Sequence, residues 1–182
     1  ATDLVVAPSE FVAIVGPTGC GKSTLLNVAA GLIAPSTGTT EILGSPLAGL
    51  NAKAGYLFQQ DALMPWRSAL DNVTAGLEFR GTGREEARAR ATDWLTRVGL
   101  RGFGDRYPHQ LSGGMRKRVA LAQTLILNPE ILLMDEPFAA LDAQTREIMQ
   151  AELTRIWAET KKTILFVTHQ IDEAVYLSDR VL

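Results

Sequence analysis

Residues 16–23, Gly16-Pro17-Thr18-Gly19-Cys20-Gly21-Lys22-Ser23, satisfy the pattern G-x-x-x-x-G-K-[ST], and together they are suited to holding phosphate. Glycines at 16, 19 and 21 let the backbone take dihedrals closed to other residues. Consecutive N–H groups then turn inward as an anion nest at a helix N-terminus. Lys22 reaches the β- and γ-phosphates as a point charge, the Ser23 hydroxyl is an oxygen ligand for Mg²⁺, and Thr24 adds a contact on the α-phosphate side. This predicts a nucleoside triphosphate and leaves its use open. Cys20, the only cysteine, has two readings: a small gap-filler, or a thiol activated at a helix N-terminus.

A second group of residues could act on such a ligand. The apolar run Ile131-Leu132-Leu133-Met134 ends in Asp135-Glu136, so both carboxylates leave a strand at the carboxyl edge of a sheet, where open α/β folds bind ligands. Asp135 is the candidate Mg²⁺ ligand and Glu136 the candidate general base for an attacking water. The competing reading is a solvated turn before Pro137. The run Thr163 to Val167 leads likewise into Thr168-His169, and a histidine there can donate a hydrogen bond to a γ-phosphate.

These residues need elements to carry them. Leu4 to Val6 and Phe11 to Val15 read as strands separated by a turn at Ala7-Pro8-Ser9-Glu10. A helix from Lys22 to Ala30 follows, and strands are expected at Thr39 to Leu43 and Gly55 to Phe58. The stretch from Asp61 to about Gln110 changes to helix-forming residues, Asp71 to Phe79 and Arg84 to Val98, punctuated by glycines. Beyond it come a helix from Gly113 to Leu127, the strand Ile131 to Met134, a helix from Ala143 to Glu159 and the strand Thr163 to Val167. Continuously apolar strands alternating with helices imply an α/β fold whose parallel sheet is covered on both faces.

Composition narrows the classes. With 46% hydrophobic and 21% charged residues, the chain can bury one core and lacks the signature of disorder. A formal net charge of -2 supplies no field for nucleic acid or an anionic membrane. No apolar run approaches the roughly 20 residues of a spanning helix, and no secretion signal opens the chain. A single cysteine excludes an internal disulfide and fits a reducing cytosol.

Leu111-Ser112-Gly113-Gly114-Met115 resembles the LSGGQ signature of the ABC ATPase family. On physical grounds Ser112 is a helix N-cap and Gly113 and Gly114 expose N–H groups at the helix start, a second anion-gripping tip. The rest of the chain is similar to the same family in order. Gln59, in Tyr56-Leu57-Phe58-Gln59-Gln60, resembles the Q-loop glutamine that senses Mg²⁺ and water. Ala139-Ala140-Leu141-Asp142 resembles the D-loop, with Asp142 reaching across a dimer, and His169 matches the switch histidine.

The resemblance implies a P-loop NTPase (RecA-like) core with a parallel sheet, a small antiparallel β edge and an inserted α-helical subdomain. Residues 1–60 and 117–182 would form the core, truncated at both ends, and residues 61–116 a helical signalling subdomain ending in the LSGG signature. It further implies ATP and Mg²⁺ as ligands, with Pro17, Thr18 and Cys20 among the phosphate-loop contacts. A second copy would complete each active site. Three departures stand out: Met115 where glutamine is usual, Ala139 where serine is common, and no aromatic before Phe11 to stack on adenine.

The segments Leu63-Met64-Pro65-Trp66-Arg67-Ser68-Ala69-Leu70-Asp71-Asn72-Val73, Ser112-Gly113-Gly114-Met115-Arg116-Lys117-Arg118 and Met134 to Arg146 are similar to the nitrate/sulfonate/taurine importers. That branch pairs two ATPase subunits with a membrane permease and an extracytoplasmic solute-binding protein, at the cytoplasmic face of the inner membrane, and binds no nucleic acid. Trp66 then either faces the permease or is buried in the helical insert. Arg116-Lys117-Arg118 reads as a solvated basic face. Rival classes fit less well: chromosome-maintenance ATPases insert a long coiled coil where about ninety residues stand here, and nucleotide kinases lack the LSGG tip.

Overall fold

The computed structural model describes residues 2–139 and 141–182. Two compact units divide the chain: one holds the residues up to Tyr56 with Pro129–Glu136 and Thr160–Leu182, the other Leu57–Asn128 with Pro137–Glu159. No helix among the described residues is long and apolar enough to cross a membrane.

The first unit is built on a five-stranded sheet. Its strands are β1 (Phe11–Val15), β4 (Ala54–Leu57), β5 (Ile131–Asp135), β6 (Thr163–Thr168) and β7 (Arg180–Val181), in the order β4-β5-β6-β1-β7. β1 runs parallel to β6 and β7, and β5 parallel to β6. Helix α1 (Lys22–Ala29) lies over one face, where Leu26 and Ala30 pack with Ile14, Ile131, Leu133, Leu165 and Val167. Alternate residues point to the opposite face, and there too Leu132, Met134, Ile164 and Phe166 are buried. Burial on both faces is why these strands read as unbroken apolar runs. Phe11 meets Phe166 edge to face at 5.9 Å. Helix α6 (Ile171–Leu177) contacts β1 and β6.

The small antiparallel edge is a hairpin of β2 (Glu41–Ile42) and β3 (Ser45–Pro46). Leu43 and Gly44 turn it at φ 51° and 75°, the double positive φ of a type I′ turn. The expected strand at Leu4 to Val6 does not form. Leu4 and Val6 instead pack against the core cluster beside α1, so their alternation reflects burial without a ladder partner.

The second unit carries α2 (Ala69–Phe79), α3 (Arg84–Arg97) and α4 (Gly113–Leu125), which pack on one another, and α5 (Ala143–Thr160). A 3₁₀ turn at Pro108–Gln110 precedes α4. Ser68 caps α2 by accepting from Asp71 N, and the buried Asn72 ties the entering chain down through Met64, Arg67 and Ser68. Gly76 packs closely on Leu127: a Cβ would stand 2.7 Å from Leu127 Cδ2, so the leucine side chain would have to shift to admit one.

Candidate functional site

Strand register assembles the site of the first unit. Val15 pairs with Thr168, and Asp135 with Val167. The residues that follow, Gly16, Glu136 and His169, therefore leave the sheet side by side at its carboxyl edge.

Gly19 and Gly21 take φ of 85° and 102°, and Gly21 is the N-cap of α1. Gly16 does not adopt a positive φ; its role is close approach, since a Cβ there would stand 3.1 Å from Cys20 Sγ. Among the described residues, the N–H groups of Gly19, Gly21, Lys22, Ser23 and Thr24 donate to no protein acceptor, while Leu25 N–H already reaches Gly21 O at 3.0 Å. Unpartnered donors at a helix start form an anion nest. The buried Lys22 folds back, donating through Nζ to Gly16 O at 2.7 Å and Pro17 O at 2.9 Å. Cys20 is exposed, with Sγ 3.8 Å from Lys22 Nζ.

Parity along β5 puts Asp135 on the face of Ile131 and Leu133, the face α1 covers. Only 8% of Asp135 is exposed, and among the described residues its carboxylate has neither hydrogen-bond nor ion-pair partner. Its charge is nonetheless felt: Tyr56, whose hydroxyl donates to Asn27 Oδ1 at 3.0 Å, has its phenol pushed up to about 12, by burial first and Asp135 second. A sheltered, unpaired carboxylate beside the helix whose first turn carries the exposed Ser23 makes an oxygen donor set that suits Mg²⁺. No cluster of three His, Cys, Asp or Glu exists among the described residues. A cation here would have to complete its shell with phosphate oxygens and water, as Mg²⁺ does.

Glu136 stands at φ 45° with its N–H on Val167 O at 2.9 Å. A non-glycine residue in this region is strained, and such strain gathers at functional positions. Its Oε2 lies 3.4 Å from His169 Nδ1. The turn presenting His169 is fixed by the Thr168 hydroxyl, which donates to the buried Glu173 and accepts from Gln170 N–H at 3.1 Å.

The remaining candidates lie on the second unit. Ser112 caps α4, accepting from Met115 N at 3.2 Å, and leaves Gly113 and Gly114 as the helix start. Gly114 has little room: a Cβ would stand 3.2 Å from Thr145 Cγ2 and 3.4 Å from Leu141 Cδ2. Asp142 accepts from Thr145 N at 2.9 Å, and this backbone bond is the main reason its carboxyl is held below the usual carboxylate range. Ala140 of the same segment lies outside the described residues. Trp66 is 73% exposed, so it is not buried among the helices.

Lys117 corrects the expectation of a solvated basic face. It is 5% exposed and donates to the carbonyls of Phe58 and Gln59, while Arg118 donates to Val98 O and Gly99 O, both at 3.3 Å. No sequence signal marks Lys117, because its partners stand almost sixty residues away.

The chain matches the family described as ABC transporter over residues 1–139. It is 56% identical over 180 residues to an uncharacterized ABC transporter ATP-binding protein of Methanocaldococcus jannaschii, covering 99% of this chain and 67% of that protein. It is 48% identical over 179 residues to the taurine import ATP-binding protein TauB of Yersinia pestis, covering 98% and 70%. A dimeric ATP-binding cassette solved in a post-hydrolysis state bound to ADP and Pi superposes with a TM-score of 0.90 at 38% identity, over 98% of this chain and 82% of that one. A nest of free N–H groups at a glycine-capped helix, a sheltered carboxylate and a strained Glu136 on one sheet edge meet these likenesses in a single conclusion: the chain belongs to the ABC transporter family, as an ATP-binding, ATP-hydrolysing subunit.

Proposed function

We propose that this subunit powers import of a small solute such as nitrate, a sulfonate or taurine, through a membrane permease, with two copies closing face to face on MgATP. The observation that carries the reading is the register that delivers the phosphate loop, Asp135, Glu136 and His169 to one edge, with Glu136 Oε2 3.4 Å from His169 Nδ1.

In this reading Gly16 to Thr24 bind the triphosphate, and Lys22 exchanges the carbonyls of Gly16 and Pro17 for phosphate oxygens. Ser23, Asp135 and Gln59 would hold Mg²⁺, which would supply positive charge to offset the charge that develops on the phosphate oxygens. Glu136 takes a proton from water as the water oxygen bonds to the γ-phosphorus and the bond to ADP breaks. His169, set by its Glu136 contact, donates to the γ-phosphate. Ser112, Gly113 and Gly114 from the opposing copy cover that phosphate, and Asp142 reaches across. Hydrolysis removes the group both copies share, and the pair opens. Gln59 and the helical unit pass that opening to the permease as a rigid-body movement.

Similarity to taurine import ATP-binding proteins supports the solute class and the extracytoplasmic binding protein that goes with it. Such a subunit sits peripherally on the cytoplasmic face of the cell membrane. The test is Glu136→Gln: the variant should bind MgATP, persist as a dimer on size exclusion and hydrolyse almost nothing. Turnover at the wild-type rate would overturn the role given to Glu136.

A further inference from the structure

Helix α4 begins with Gly113 and Gly114, and Lys117 follows Gly113 by four residues, one turn along. Its ammonium donates to two carbonyls, Phe58 O at 3.2 Å and Gln59 O, and is ion-paired with Asp61, whose Oδ1 stands 3.3 Å away. All three come from one short stretch of chain. Arg116 closes the same junction, with Nε on Asp61 Oδ2 at 3.0 Å and a guanidinium NH on Leu111 O at 3.0 Å. The carboxylate between the two cations is itself largely buried.

Lys117 is buried, so an ammonium that lost these acceptors with no water to replace them would be left an unpaired charge in the interior, at a large cost. The backbone of Phe58 to Asp61 therefore cannot shift alone; either α4 follows or the buried charges separate.

We infer that Lys117 is a positioning residue that makes the Gln59 segment and the Ser112–Gly114 tip of one chain move as one piece, and so couples the two ATP sites of a dimer. The inference rests on the two-copy reading above. There, Gln59 attends the nucleotide of its own phosphate loop, while the tip attends the nucleotide of the opposing copy. A grip between them transmits the state of one site to the other as a coupling free energy, read as positive cooperativity.

The test measures ATP hydrolysis against ATP concentration for the full chain. With two sites the Hill coefficient of the wild type lies above one, up to about two. Lys117→Met should bring it to about one while leaving MgATP affinity of the isolated copy within about twofold. Lys117→Arg, which keeps the donors, should restore part of it. Leu125→Ala, buried on the same helix and remote from Gln59 in sequence, lowers stability and should keep the wild-type coefficient. An unchanged coefficient in Lys117→Met, or an equal fall in Leu125→Ala, overturns the inference. Should Lys117→Met fail to fold, Asp61→Asn replaces it: a partial fall supports the coupling and none overturns it. The two readings fail differently. A wild-type coefficient of one, with no ATP-dependent dimer in Glu136→Gln, removes the two-copy reading and this inference together. A dimer with an indifferent Lys117→Met removes only the inference.

Discussion

Two glycines at opposite ends of α1 take positive φ for different reasons, and an added methyl should separate them. At Gly21, φ 102°, an alanine Cβ would meet nothing within 4 Å, so the penalty of Gly21→Ala is dihedral alone. For an L-residue that is about 1 to 2 kcal/mol. An open loop can relax to relieve it, but only by turning N–H groups away from the nest. The strain then returns when phosphate restores the geometry, and MgATP affinity should fall by roughly 5- to 30-fold with little loss of stability. Gly31, φ 71°, behaves oppositely, because its Cβ would stand 1.9 Å from Gly49 O. Backbone cannot swing aside as a side chain does. Gly31→Ala combines dihedral strain with overpacking, roughly 2 to 5 kcal/mol of stability, while the phosphate loop at the other end of the helix keeps its dihedrals. Equilibrium binding of a fluorescent ATP analogue and urea denaturation of both variants decide the matter. Normal binding by Gly21→Ala, or wild-type stability in Gly31→Ala, would refute the reasoning.

Leu43 occupies a left-handed position in the β2–β3 hairpin at φ 51° and is exposed; Leu43→Asn should therefore raise stability by about 0.5 to 1 kcal/mol, seen as a later urea midpoint at unchanged slope. Asp135→Asn removes one of the two causes that raise the Tyr56 phenol, so its alkaline absorbance titration should move down from about 12 toward, but not to, 10.0; an unmoved titration would break that electrostatic link. Burial lowers the pKa of Lys162, against the opposing pull of Glu130. The folded chain then loses that proton before the unfolded chain does, so the stability of wild type relative to Lys162→Met should rise with pH on approaching 10.5 and level off beyond it.

Local chemistry was legible where the chain announces it in consecutive residues. The phosphate loop, the run into Asp135-Glu136 and the run into His169 each sit at the end of an apolar strand, and the strands formed within a residue or so of the expected bounds. The antiparallel edge formed as the resemblance implied, but its turn at Leu43-Gly44 is not legible, and Leu43 reads as the end of a strand, because leucine carries no signal for the left-handed region that the turn requires. Helix α6 was missed although Asp172 and Glu173 in its first turn suit the positive end of a helix dipole. The N-cap formed by Asp142 was equally readable from an acid standing just before a helix. Lys117 could not have been read this way. A lysine among arginines on a helix looks solvated until chain remote in sequence supplies its acceptors.

Which of two adjacent acids faces the phosphate helix is decided by strand parity, and the motif alone does not contain it. Ile131 and Leu133 point to the α1 face, so Asp135 must follow them, and a shift of register by one residue would send it to the other side. Glu136 would then continue the alternation to the far face if β5 ran on. It does not, because φ 45° breaks the strand at that residue while its N–H still closes on Val167 O. The same torsion that ends the ladder frees the Glu136 carboxylate to stand 3.4 Å from His169. Glycine would take this conformation without strain but would bring no carboxylate. The strain at Glu136 is thus the consequence of asking one residue both to terminate a buried strand and to present an acid at its edge.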